Sequence, residues 1–330
     1  MKSSIRAPFL ANFCENVLVS ILLTGGAGYI GLHIANELIG SHKKVIILDD
    51  ESTGRSSLIP DGIYFQKGNI LDFNLVVDLL NQYEVETIVH LAGKKSVEES
   101  FKYPALYESI NVLGTKTVLD AAQKSKVKNF VFSSSAAVYG NPRIPAVSEL
   151  VKPNPISPYG ESKLKAERLI VESLAGSNIR FTCLRYFNVA GAAKERFKDN
   201  SVNNLIPIVV QDILLGKTPT IYGTDYPTFD GSCIRDYVHV ADVARAHSAT
   251  IDALSQIRLP HIMNIGTGKG ASVKEIISSA SEIFGIKVTP ISGERRIGDP
   301  AILIAENDLM VKYLDLELKL TVKDILKSLI

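Results

Sequence analysis

Cysteine is scarce in this sequence. The 330 residues hold three, Cys14, Cys183 and Cys233, far apart and without a CxxC pair, which argues against a disulfide framework or a zinc site. The six histidines form no HExxH and do not cluster with cysteine, so no metal is expected. Net charge is nearly absent too: 36 Lys plus Arg against 35 Asp plus Glu leave +1. No global basic field draws the chain to nucleic acid or anionic lipid, and any bound anion must be met locally. The apolar run at 17–23 follows Lys2 and Arg6 as in a secretory leader, but it is too short to span a bilayer. It leads into a glycine-rich turn without a small-residue cleavage site and reads as a buried strand. Residues 1–16 carry no periodic pattern and are expected to be a disordered extension. Internal repeats, low-complexity segments and Gly/Ser linkers are lacking, so the expectation is a tightly packed cytoplasmic protein.

What is present is a rhythm. With 46% hydrophobic residues the chain can bury a sizeable core. Short β-rich runs at 17–24, 44–49, 87–91, 129–133 and 181–185, and a weaker one at 63–65, alternate with helical patterns near 29–40, 72–83, 104–125 and 159–175. Such alternation predicts a Rossmann-type, doubly wound parallel sheet with helices on both faces over residues 17–188. After Asn188 the pattern turns irregular, with helices expected near 203–215, 239–254 and 272–284. A smaller mixed α/β substrate lobe over 189–330 follows, with some segments returning to the sheet.

Thr24-Gly25-Gly26-Ala27-Gly28-Tyr29-Ile30-Gly31 follows the first strand and opens a helix, setting Gly25, Gly28 and Gly31 in a GxxGxxG pattern. Backbone can there approach a pyrophosphate while the helix N-terminus offers amide donors. The second strand ends at Asp49, eighteen positions past Gly31, where a carboxylate can read ribose hydroxyls and repel a 2′-phosphate. NAD is therefore expected over NADP.

Tyr159-Gly160-Glu161-Ser162-Lys163 puts a phenol and an ammonium four residues apart on one helix face after Pro158. A nearby cation together with the charge of a bound nicotinamide lowers a phenol's pKa from about 10, making phenolate available as a base. Spacing alone proves little among 12 tyrosines. Position decides: Ser133-Ser134-Ser135 ends the strand upstream, where open α/β sheets expose ligand-binding groups, and Ser135 can bond the oxygen being oxidised.

Together these residues resemble the extended short-chain dehydrogenase/reductase family, in particular its nucleotide-sugar 4-epimerases, over about 19–315. The matching strings are TGGAGYIG at 24–31, HLAGKKSVEES at 90–100, NVLGT at 111–115, FSSSAAVYG at 132–140, SPYGESK at 157–163 and LRYFNVAGA at 184–192. NNLIP at 203–207, IYGTDYPTFDG at 221–231, CIRDYVHV at 233–240 and RRIGDP at 295–300 follow in order. The resemblance implies that Tyr159 is the base, that Lys163 holds the nicotinamide ribose and tunes Tyr159, and that Ser135 assists at the sugar hydroxyl. It also places Tyr29, Ile30, Asn69, Ile70, Lys95, Asn111, Ser133 and Tyr186 along bound NAD. Asn188, Asn204, Leu205, Tyr222, Arg235, Arg296 and Asp299, with Lys95, would hold a UDP-sugar, arginine forks suiting a pyrophosphate. The implied reaction removes a hydride from C4 of a UDP-hexose and returns it to the other face, and the implied assembly is a homodimer through the helices at 104–125 and 159–175.

The chain departs from the family pattern at Asn69, where Asp is usual, and at Ile297, where Glu is usual. It also stops at Ile330, short of the family's customary final helix, which is expected to loosen the substrate lobe. Other functions stay in view. A dehydratase needs a further acid/base pair just after the serines, where Ala136-Ala137-Val138 offers none. A non-catalytic dinucleotide-binding regulator would have no need of Ser135, Tyr159 and Lys163 together. Epimerisation of a UDP-N-acetylhexosamine, pentose or uronic acid is a third alternative. The family pattern sets Leu303 near the sugar, where its bulk would crowd an N-acetyl group and favour plain hexoses.

Overall fold

The computed structural model describes residues 19–199 and 204–330, so the extension expected at 1–16 lies outside the described residues. In chain order the first part runs β1 (Ser20–Thr24), α1 (Tyr29–Gly40), β2 (Lys44–Asp49), β3 (Tyr64–Lys67), α2 (Phe73–Gln82), β4 (Thr87–His90), α3 (Val97–Lys102), α4 (Pro104–Tyr107), α5 (Gly114–Gln123), β5 (Asn129–Ser135), β6 (Ala146–Val147), α6 (Pro158–Leu174) and β7 (Arg180–Tyr186). The second runs β8 (Asn188–Ala190), α7 (Leu205–Leu214), β9 (Thr220–Tyr222), β10 (Ile234–His239), α8 (Val240–Gln256), β11 (Ile262–Ile265), β12 (Gly270–Ser272), α9 (Val273–Phe284), β13 (Ile291–Gly293), β14 (Ile302–Ala305), α10 (Asp308–Leu314) and α11 (Val322–Lys327).

A seven-stranded sheet in the order β11-β7-β5-β4-β1-β2-β3 organises the molecule. Its pairings are all parallel. Successive strand residues point to opposite faces, and both faces are apolar. Ile21, Leu23, Ile47, Val89 and Val131 pack with Ile34 and Leu38 of α1 and Val243 of α8. Leu22, Ile46, Ile88 and Phe130 pack on the other side with Leu79 of α2, Val118 of α5 and Ile170 of α6. The chain leaves β1 toward β2 on one side and returns to β4 on the other, so a crevice opens at the carboxyl ends of β1 and β4.

The helical pattern at 104–125 is not one helix. A π-helical segment, Glu108–Leu113, interrupts it between α4 and α5. The inserted turn swings Asn111 inward, where it is buried, and π-bulges of this kind gather at functional sites. α3, at 97–102, was not anticipated; Ser96 caps it by accepting a bond from the Glu99 N–H at 3.1 Å.

Beyond β7 the chain builds a second layer. β12, β10, β14 and β6 form one sheet, with β8 alongside β10, and β13 pairs with β9. Ile206, Val209 and Ile213 of α7 pack with Ile276 and Ile277 of α9 and Ile325 of α11 in a separate core. β11, from this same half of the chain, crosses back to extend the large sheet beside β7.

Candidate active site

The glycine turn closes against the neighbouring strand end. Gly25 has φ +71°, and a Cβ there would sit 2.6 Å from the Ala92 backbone nitrogen, so only glycine lets the turn approach so closely. α1 starts at Tyr29 with no side chain capping it, leaving its first amides directed toward the crevice. Asp49 sits beside this turn with one oxygen accepting from the Ala27 N–H at 3.0 Å and the other from the Glu51 N–H at 2.8 Å. Burial nevertheless pushes its carboxyl pKa up, those two bonds oppose it, and the charges of Asp50 and Glu51 add to the rise. Asn69 caps its own loop by accepting from the Leu71 N–H at 2.9 Å. Its amide also reaches Asp50 at 3.4 Å, a bond the carboxylate usual at this position could not donate.

Opposite, the end of β5 meets the start of α6. Ser157 caps α6 by accepting from the Gly160 N–H at 3.1 Å, with Pro158 in the first turn. A Cβ on Gly160 would fall 2.5 Å from the Ala137 carbonyl, so the helix lies hard against the turn after the serines. That contact brings Tyr159 to Ser135. Burial pushes the Tyr159 phenol up, and a bond with Ser135 pulls it back. Tyr107 presents its ring edge-on to Tyr159, centroids 6.3 Å apart. The Tyr107 hydroxyl donates to the Ser96 carbonyl at 2.6 Å and lies 2.9 Å from Glu99 Oε2.

Lys163 turns to the end of β5. Its ammonium, 5% exposed, donates to the Ser133 carbonyl at 2.8 Å and rests 4.9 Å from the Phe132 ring centroid. It is not among the groups that move the Tyr159 phenol, whose pKa rises rather than falls. Removal of both groups from water outweighs their helical proximity. Burial lowers the Lys163 pKa itself to about 8, with Glu167 and then Cys183 opposing the fall.

The second layer contributes the far wall. Arg235, on β10, donates to the Ile234 carbonyl at 2.9 Å and to Asp299 at 3.3 Å. The Arg296 guanidinium stacks 4.1 Å from the Tyr222 ring centroid. Asn204, at the start of α7, donates to Asp199 at 2.6 Å, and Lys95 stands 5.9 Å from the Tyr29 ring centroid.

One cavity of about 1800 Å³ unites these groups. Gly25, Gly28, Tyr29, Ile30, Gly31, Asp49, Asn69, Ile70, Lys95, Ser133, Ser135, Tyr159, Lys163, Tyr186, Asn188, Asn204, Leu205, Tyr222, Arg235, Arg296, Asp299 and Leu303 all line it. Asn111 does not. Its amide bonds the Lys94 backbone, at 2.8 and 3.0 Å, and Ser162 at 2.9 Å, bracing the cavity wall from behind. Sequence reasoning missed Tyr107 and the buried pair Glu167 and Arg185. The spacing of Tyr159, Lys163 and Glu167 along one helix face was a usable signal for the latter.

A glycine turn with free helix amides and an acidic strand end fits a dinucleotide, and a tyrosine–serine pair at the sheet's carboxyl edge fits oxidation of an alcohol. Among known proteins, a UDP-glucose 4-epimerase of Halalkalibacterium halodurans is 40% identical over 295 residues, covering 88% of each chain. One from Lacticaseibacillus casei is 37% identical over 298 residues, covering 88% of this chain and 89% of that one. Of solved structures, a UDP-glucose-4-epimerase from Stenotrophomonas maltophila with NAD and formylated UDP-arabinopyranose superposes with TM-score 0.90 at 33% identity, covering 94% and 96% of the two chains. The Bifidobacterium longum UDP-glucose 4-epimerase with NAD+ and UDP gives 0.88 at 30% identity, covering 94% and 97%. With residues 21–266 matching its family profile, the chain belongs to the NAD dependent epimerase/dehydratase family.

Proposed function

We propose that the chain interconverts UDP-galactose and UDP-glucose by inverting sugar C4 with tightly held NAD. The observation that carries this reading is the presence of Ser135, Tyr159 and Lys163 in the same cavity as the glycine turn, Asp49, Arg235 and Arg296. NAD, when bound, supplies a site that takes the C4 hydride and gives it back. The glycine turn and the free amides of α1 hold its pyrophosphate, and Asp49 holds the adenosine ribose hydroxyls. Lys163 holds the nicotinamide ribose.

Tyr159 removes the proton of the sugar 4-hydroxyl as the C–H bond breaks and returns it to the 4-keto oxygen when the sugar presents its other face. Since burial raises this phenol in the protein's own field, its ionisation depends on positive charge arriving with the ligands. Ser135 holds the reacting oxygen at both stages. Arg235 and Arg296 grip the pyrophosphate link, while Asn204 and Leu205 at the start of α7 hold the uridine side. Anchoring at the nucleotide leaves the hexose free to turn over within the roomy cavity.

We read residues 17–188 as the NAD-binding part and 189–330 as mainly the UDP-sugar part. Leu303, 7% exposed on the cavity wall, favours plain hexoses over N-acetylated ones. The protein acts in the cytoplasm as a homodimer through the helices within 104–125 and 159–175, where Leu106 and Leu113 are 38% and 51% exposed. Among the described residues no helix is long and apolar enough to cross a membrane. The test is to incubate the purified protein with UDP-galactose, adding no cofactor, and to resolve the nucleotide sugars by chromatography. UDP-glucose is the expected product. A dehydrated 4-keto-6-deoxy sugar, or bound NAD with no turnover of any UDP-sugar, would overturn the reading.

A further inference from the structure

Behind the serines lies an ion pair that the proposed reaction leaves unused. Arg185, on β7, donates from Nε to Glu167 Oε1 at 2.9 Å and from Nη2 to Oε2 at 2.6 Å. The Ser134 hydroxyl adds a bond to Glu167 Oε1 at 2.5 Å, and Ser134 is the register partner of Arg185 across the β5–β7 ladder. Arg185 is 3% exposed and Glu167 2% exposed, and the guanidinium carbon also stacks 4.7 Å from the Tyr139 ring centroid. Taking two charges out of water offsets most of what their attraction provides, so stability alone is a poor reason for this arrangement. Its location offers a better one. Glu167 lies one helical turn beyond Lys163 and two beyond Tyr159 on α6, and Ser134 sits between Ser133, which accepts the Lys163 bond, and Ser135.

We propose that the Glu167–Arg185 pair is a positioning element for the reaction, pinning the serine-bearing end of β5 from behind and supplying the negative charge that keeps Lys163 an ammonium. The other groups facing Lys163 cannot do this. On its own helix stands Tyr159, a phenol held neutral by burial. Cys183 on β7 is a buried thiol pushed well up. His90 on β4 is held neutral by burial and then by Lys163 itself, its pKa lowered to about 3. Arg185 carries like charge. Glu167 is the carboxylate on the same helix face, and its pull on Lys163 is the largest effect opposing burial. Both its oxygens are occupied by Arg185 and Ser134, so it acts on Lys163 across space rather than by contact.

The test uses the holoenzyme and rests on the epimerase reading for its first readout. Glu167→Gln keeps the shape and leaves Arg185 and Lys163 as two buried cations. The alkaline limb of kcat should move down by about one pH unit or more, with KM for the UDP-sugar changed less than about twofold. In the double variant Glu167→Gln/Arg185→Leu, the repelling cation is gone as well, and the limb should return at least halfway. A purely structural pair predicts the reverse, a double variant as impaired as the single or more so. Should Glu167→Gln fail to fold, Glu167→Asp retains the charge with a shorter reach, and its limb should stay in place while kcat falls. An unmoved limb in Glu167→Gln, a double variant shifted as far as the single, or a moved limb in Glu167→Asp would overturn the proposal. If the wild type turns over no UDP-sugar, the epimerase reading fails separately. NMR titration of ε-labelled lysine then decides this proposal, a downward shift of the Lys163 midpoint in Glu167→Gln being required.

Discussion

Lys163 donates a hydrogen bond to the Ser133 carbonyl, 2.8 Å away, and not to the phenol one turn earlier on the same helix. The two partners thus divide the work in the proposed reaction. Tyr159 meets the sugar, while Lys163 ties α6 to the end of β5 and puts positive charge under the nicotinamide ribose.

Replacing Tyr159 by Phe removes the proton acceptor and nothing else. The variant should keep its fold and its NAD, measured by cofactor absorbance, and lose on the order of 10³-fold in kcat. Wild-type-like turnover in Tyr159→Phe would eliminate the phenol as the base.

Asp49→Ala removes the carboxylate proposed to read the ribose, together with its bonds to the Ala27 and Glu51 amides. NAD retention should fall, and discrimination against NADP should narrow at least about tenfold, because a 2′-phosphate would no longer meet that charge. Asp50 and Glu51 stay nearby, so some preference for NAD survives. Equilibrium dialysis with both dinucleotides measures it, and an unchanged ratio would show that another group reads the ribose.

Lys163 predicts opposite pH trends for activity and stability. Its folded-state pKa, lowered to about 8, lies below the ordinary lysine value. Between the two the unfolded chain binds the extra proton, so this group's contribution to stability improves as pH rises through 8. The ammonium needed for turnover disappears over that same interval. Activity should therefore decline above about pH 8 while the Lys163 contribution moves toward greater stability. Parallel pH series of kcat and urea midpoints check this, and a kcat flat to pH 10 would refute the first half.

Leu303 sits 7% exposed on the wall of the cavity. Leu303→Ala should raise kcat/KM for UDP-N-acetylglucosamine by about tenfold or more while reducing that for UDP-galactose only slightly, as expected when a few methyl groups of crowding are removed. Efficient turnover of the N-acetylated sugar by the wild type would show that this wall sets no limit.

Most of the large sheet and nearly the whole cavity were legible in the sequence, for identifiable reasons. Strands such as β1 and β2 are continuous apolar runs because both their faces are covered, and the glycine turn and Asp49 stand at their ends. Three features were not legible. The break at Glu108–Leu113 hides within an uninterrupted helical pattern, because a π turn changes hydrogen bonding without changing apolar spacing. The bonds of Asn111 to Lys94 and Ser162 are decided by neighbours distant in sequence. The burial that raises the Tyr159 phenol in the protein alone is likewise invisible to spacing, which reports only that Lys163 shares its helix face.

β11 has a bearing on how the chain can be cut. Ile262–Ile265 belongs by sequence to the part of the chain after β8, yet it pairs along Cys183–Tyr186 of β7, and His261 stacks on Phe181 at 4.5 Å between ring centroids. A fragment ending near 188 would lose that cover and bare the backbone of β7 along its whole outer side, an open template for self-association. The two halves therefore depend on each other for solubility, and synthesis must pass residue 265 before the first sheet is sealed.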